Sequence, residues 1–152
     1  MRKFMIVVDD TPECKSALRF AARRAAKTGG GIVMLYVIRP EEFQHWIGVG
    51  EVMRAEAREA AEERLSHLAD EVKALSGVLP EFAIREGVAR DEVLAQIRED
   101  NEIGVLVLGA GANGDGPGPL VSALAGRMSG ELTVPVTVVP GGISMERIDA
   151  IC

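Results

Sequence analysis

Aromatic residues are scarce in this sequence: one Trp, one Tyr and four Phe make up 4% of 152 residues. With 47% apolar residues and so few rings, the core has to be aliphatic, built from Val, Ile, Leu, Met and Ala. Cysteine is nearly absent. Cys14 and Cys152 cannot make a disulfide framework, and no secretory leader precedes the first apolar run, so a cytoplasmic location is expected. His45 and His67 have no Cys or carboxylate at metal-ligand spacing, so no metal site is expected. There is no dense Lys/Arg run, and the net charge is -6. That balance repels phosphate backbones and argues against nucleic-acid binding. The longest nearly apolar stretch, Ile103 to Ala112, is far shorter than the roughly 20 residues a membrane span needs.

What is present is an alternation of strand and helix patterns. Phe4 to Val8, Ile32 to Ile38 and Ile103 to Leu108 are continuous apolar runs, the mark of strands buried on both faces. Glu81 to Glu86 is shorter and more polar and suits a sheet edge, and Pro135 to Val139 reads as the last strand. Between them, Thr11-Pro12-Glu13 predicts a helix start with Thr11 as cap, and Gly29-Gly30-Gly31 its end. Glu51 to Leu75 and Asp91 to Glu99 are amphipathic, and Pro119 opens a helix expected to reach about Gly130. Glu41 to Gly50 reads as a loop whose Trp46 is a local packing anchor or interface contact. Ser144 is placed to cap a short turn over Met145 to Ile151. Right-handed helical crossovers between such strands give a single-domain α/β fold, an open five-stranded parallel sheet with helices on both faces. Residues 1–140 form the domain and 141–152 a C-terminal tail.

Three motifs invite functional readings. Asp9-Asp10 ends the first strand, where open parallel sheets bind ligands, and an acidic pair there suits Mg²⁺ or a ribose hydroxyl as well as plain turn chemistry. A phosphoacceptor receiver domain is excluded: the third strand ends Ile84-Arg85-Glu86-Gly87 without an Asp, and no Lys follows Val138-Val139. Gly109-Ala110-Gly111-Ala112-Asn113-Gly114 spells G-x-G-x-x-G, but Asp115-Gly116-Pro117-Gly118-Pro119 follows instead of a helix, so dinucleotide binding is rejected. The loop could cradle phosphate on backbone amides. Against that, Pro117 and Pro119 each remove a donor, Asp115 adds negative charge, and no Lys or Arg occurs between Arg98 and Arg127. Cys14, near a helix start, is read as a packing residue because no partner His or second Cys is evident.

Phe4 to Thr11 followed by Ser16-Ala17-Leu18, Arg85-Glu86-Gly87-Val88-Ala89, Val105 to Gly109, and Leu132 to Val139 together resemble the universal stress protein family, in order and spacing, from Lys3 to Pro140. The resemblance implies sheet order 3-2-1-4-5, a homodimer through the last strand (Pro135 to Val139), and stress survival without catalysis. Nucleotide-binding members carry G-x2-G-x9-G-[S/T] after strand four. Here Gly109 keeps the first glycine, while Ala112, Ser122 and Ala123 stand at the other three positions. Asp9 and Val37 match the adenine-side positions. The resemblance therefore implies a non-enzymatic protein with a degenerate adenine-nucleotide motif and Asp9, Thr11, Val37, Gly109, Gly111, Gly114 and Ser122 as candidate contacts. Weak binding of ATP or another adenine nucleotide, and no binding, both remain open. Two other readings stand beside it. One is a slow ATP hydrolase using Asp9, Asp10 and Asp115. The other is an interaction module acting through Trp46, the long helix or the tail.

Overall fold

Parallel strands buried from both sides need helices above and below, and that requirement shapes the chain. The computed structural model describes residues 2–40 and 50–152. The expected loop with His45 and Trp46 lies outside the described residues. The elements are β1 Lys3–Val8, α1 Glu13–Thr28, β2 Gly31–Ile38, α2 Gly50–Ser76, β3 Glu81–Glu86, α3 Ala89–Glu99, β4 Ile103–Ala110, α4 Pro119–Ser122, β5 Val136–Pro140 and α5 Met145–Ile151. All strand pairs are parallel and the sheet order is 3-2-1-4-5.

The apolar runs divide by the two-residue period of a strand. Ile6 and Val8 of β1, Ile32 and Met34 of β2, and Val107 of β4 pack with α1 and α2. Their chain neighbours Met5, Val7, Val33, Leu35, Leu106 and Leu108 face the other way, toward Val93, Leu94 and Ile97 of α3 and Val121 and Leu124. No aromatic side chain is among the fully buried ones of the described residues. β3 is an edge strand, as its polarity predicts.

Sequence and structure differ at two helices and at the start of one strand. Thr11 does not cap α1: its hydroxyl and its amide, the latter at 2.9 Å, both donate to Asp9 Oδ1. Pro12 already has helical dihedrals (φ -63, ψ -34), so the turn before α1 is held from Asp9 instead. The helix expected over 119–130 is broken. Regular α geometry ends at Ser122, a wide π turn covers Ala123–Arg127, and Ser129–Glu131 is a 3₁₀ turn. Gly126 is non-helical at φ -108, ψ -119. Glycine is the residue least resistant to leaving a helix, and Gly130 follows closely. The last strand also begins one residue later than predicted, at Val136.

The segment after β5 is docked. Ser144 caps α5 as expected, its Oγ accepting from the Arg147 amide at 3.1 Å. Ile148 is completely buried, and α5 packs on α1. Asp149 accepts from Arg19 at 2.8 and 2.6 Å and from Arg23 at 3.0 Å. These guanidinium bonds, chiefly from Arg19, hold the Asp149 carboxyl well below the usual range. At the amino edge of the sheet, the buried Lys3 ammonium meets Glu81, Asp100 and Glu102 at 2.7, 2.9 and 3.3 Å. It thereby fastens β1 to the edge strand β3 and to the turn before β4.

Candidate functional site

Strand order decides where a crevice can open. From β1 the chain crosses to β2 on one side, while β4 on its other side leads away to β5. The loops leaving β1 and β4 therefore diverge at their carboxyl ends, the usual ligand position in open α/β sheets. A cavity of about 330 Å³ lies there. Asp9 and Thr11 after β1, Val37 of β2, Gly109 of β4 and Gly118 and Pro119 at the start of α4 line it.

Each wall follows from local chemistry. Asp9 is fixed by its turn onto Thr11, so one carboxylate oxygen is already committed. Arg64 of α2 reaches the same turn, with Nη2 donating to the Asp9 carbonyl at 3.2 Å. Its Nε stands 3.6 Å from Asp10 Oδ1, too long for a hydrogen bond, and has no partner of its own. Gly109 is dictated by packing: a Cβ there would lie 2.5 Å from the Glu13 carbonyl oxygen at the start of α1. The loop beyond it folds back on itself. The Gly111 amide donates to the Pro117 carbonyl at 3.0 Å, and Gly116 and Gly118 adopt φ of 89 and 104. Those left-handed values suit glycine alone.

A second cavity, about 660 Å³, adjoins the first. Arg39, Ala89, Pro119 and Leu120 line both. The second is completed by Gly87 and Val88 of the turn into α3, Arg90, Ser122, Ala123 and Arg127. The fold thus brings Asp9, Thr11, Val37 and Gly109 to the first cavity and Ser122 to the second. Gly111, Gly114 and Asp115 line neither. Sequence reasoning missed the arginines because it sought cations within the loop itself. Arg39 directly follows β2 and Arg90 lies at the start of α3, so proximity to strand carboxyl ends is a signal that finds both. Arg127 carries no such signal.

Cys14 lies at the edge of this region. It is buried on the first turn of α1, and burial pushes its thiol up to about 11. It is held protonated and serves packing. Among the described residues, no cluster of His, Cys, Asp and Glu could hold a metal ion, and no helix is long and apolar enough to cross a membrane.

Comparison with known proteins follows the same lines. A family model described as the universal stress protein family matches residues 1–140. No curated protein matches the sequence significantly. Among solved structures, universal stress protein UspA from Lactobacillus plantarum is 19% identical, with 91% of this chain and 97% of that one covered at a TM-score of 0.74. A universal stress protein in complex with cAMP is 16% identical over 93% and 98% of the two chains, with a TM-score of 0.58. One from Archaeoglobus fulgidus in complex with dAMP is 17% identical over 91% and 98%, with a TM-score of 0.57. Likenesses at this level of identity carry the fold.

Proposed function

The chain belongs to the universal stress protein family, and from that premise we propose that it is a cytoplasmic stress-response protein that binds an adenine nucleotide at the carboxyl edge of its sheet without turning it over. The observation that carries this reading is the crevice between β1 and β4. It brings Asp9, Thr11, Val37 and Gly109 to one cavity, and at about 330 Å³ it falls within the ordinary range for small-ligand sites. Asp9 supports a ribose or adenine contact through its uncommitted oxygen, and Val37 offers backbone and an apolar wall. Two structural neighbours, described as complexes with cAMP and dAMP, point to the same ligand class.

Binding without chemistry follows from what lines the cavity. The one nearby thiol is held protonated. Asp9 is engaged by Thr11, and Asp10 faces Arg64. The loop after β4 is a poor grip for a triphosphate. Ala112, Ser122 and Ala123 replace the family's glycines and hydroxyl, Pro117 and Pro119 lack amide hydrogens, and the Gly111 amide is spent within the loop. Calorimetric titration with AMP should show binding that Asp9→Ala weakens by about tenfold or more, the loss of one charge-assisted hydrogen bond. ATP with Mg²⁺ should release no phosphate at enzyme-like turnover. Absence of any adenine-nucleotide binding at millimolar concentration contradicts the binding claim, and robust turnover contradicts the rest.

The same premise supports a homodimer through the last strand. Among the described residues β5 pairs only with β4 and has no strand on its outer edge, and Val138 is exposed. An apolar open edge is an aggregation hazard that a second copy of the strand would close. Sedimentation at micromolar concentration should read a dimer, and a monomer would contradict it.

A further inference from the structure

The second cavity has an unusual charge. The whole chain carries a net charge of -6, yet among the described residues three arginines and no acidic residue line this space. Arg39 follows β2, Arg90 lies on α3, and Arg127 follows the broken helix α4, so the fold gathers them from three separate places. Among the described residues Arg39 and Arg127 have no ion-pair partner, and Arg90 has only the adjacent Asp91, 3.8 Å away. Other arginines of the chain, and Lys3, are held closely by carboxylates. Arg19 and Arg23 share Asp149 at 2.6 and 3.0 Å, Arg85 holds Glu92 and Glu99 at 2.8 and 2.5 Å, and Lys3 is ringed by three carboxylates. Three guanidinium groups around one hollow, with no wall carboxylate among the described residues to neutralise them, form a receptor for a multiply charged anion.

We propose that this cavity is a phosphate subsite, holding the mono- or diphosphate end of a nucleotide whose nucleoside occupies the neighbouring crevice; for the nucleoside, the proposal rests on the reading above. The two spaces share Arg39, Pro119 and Leu120, so one molecule passes from one to the other past the start of α4. Their charges divide the work. The crevice carries Asp9, Asp10 and Glu13 against the single cation Arg39, while the only charged residues lining the larger cavity, among the described residues, are its three arginines. The Ser122 hydroxyl, in the cationic cavity, adds a neutral donor. Phosphate thus turns away from the glycine-rich loop toward α3, and the side chains do what loop amides do elsewhere.

The test is calorimetric titration of the full chain with adenosine, AMP, ADP and inorganic pyrophosphate at low and high salt. Arg39→Ala, Arg90→Ala and Arg127→Ala are titrated beside it, their folding checked by circular dichroism. AMP should bind about tenfold or more tighter than adenosine, and ADP at least as tightly as AMP, with the gain shrinking in high salt. Arg127→Ala should remove about tenfold in AMP affinity and leave adenosine unchanged, whereas Arg39→Ala, at a residue that lines both spaces, should weaken AMP by about tenfold more than it weakens adenosine. Pyrophosphate should bind alone, compete with AMP and lose affinity in the same variants. If adenosine fails to bind but pyrophosphate binds through the arginines, the subsite stands and the adenine reading falls. If adenosine and AMP bind equally and the variants change nothing, the subsite is overturned with the adenine reading intact. If no compound binds, both fall.

Discussion

Replacing Gly109 with alanine is expected to destabilise the folded protein by about 2–3 kcal/mol, the upper part of the range for forcing extra volume into a packed site. Its added Cβ would stand 2.5 Å from the Glu13 carbonyl oxygen and 2.9 Å from the carbonyl carbon, both backbone atoms at the first turn of α1. A side chain can swing aside, but a helix terminus can retreat only by moving the helix. A second constraint blocks that retreat from beyond β5. A Cβ on Gly141 would lie 2.7 Å from the Ala110 carbonyl oxygen and 2.8 Å from the Glu13 Cβ. The start of α1 is thus wedged between the ends of β4 and β5. Gly114 supplies the control. It sits in the same loop with open space around its Cβ position and without a positive φ, so Gly114→Ala should change stability by less than about 0.5 kcal/mol. Urea unfolding midpoints of the two variants check this. A Gly109→Ala protein as stable as the parent would mean that the close approach is not real. The result also separates two reasons for a glycine here, since a residue reserved for phosphate approach would lose ligand and keep its fold.

Substituting Ile148 should cost about as much, by another route. Ile148→Ala removes a completely buried aliphatic side chain, for which about 2–5 kcal/mol is usual. A short helix has an escape open to few core elements, because it can undock altogether. The measured loss is then capped at the free energy that holds α5 on α1. We expect about 2–3 kcal/mol for Ile148→Ala and the same figure, within error, for Ile148→Asp, once undocking sets the limit. Chemical denaturation of both variants checks this. A much larger loss for Ile148→Asp would show that α5 cannot leave without the rest of the fold. The ionic part of the docking has a defined pH window. Asp149 has a carboxyl pKa lowered by Arg19 and Arg23, so its contribution is complete above the ordinary carboxylate range. It disappears only as pH falls through the depressed folded value. Mild acid alone should therefore leave α5 in place.

The sheet was legible in the sequence because buried strands leave a one-dimensional trace. Phe4 to Val8 or Ile103 to Leu108 cannot be amphipathic when helices cover both faces, and such runs are visible without any structure. The break in α4 was less legible. Pro119 announces a helix start, but whether Gly126 is tolerated or ends the helix depends on contacts that Val121 and Leu124 make with the sheet. The site divided in the same way. Asp9, Val37 and Gly109 are found by strand position alone. The arginines are not, because Arg39, Arg90 and Arg127 become neighbours only through folding. The loop's glycines misled for the converse reason. Gly111 and Gly114 belong to a motif by spacing, while Gly111 serves a turn closed on Pro117 and Gly114 lies at its open tip.

The clasp between α1 and α5 joins residues far apart in time as well as in sequence. Asp149 leaves the ribosome 130 residues after Arg19. Until then the α1 residues that receive Ile148 lack the cover of α5, and Arg19 and Arg23 lack the Asp149 carboxylate. The segment beyond the part matched by the family model is what supplies both.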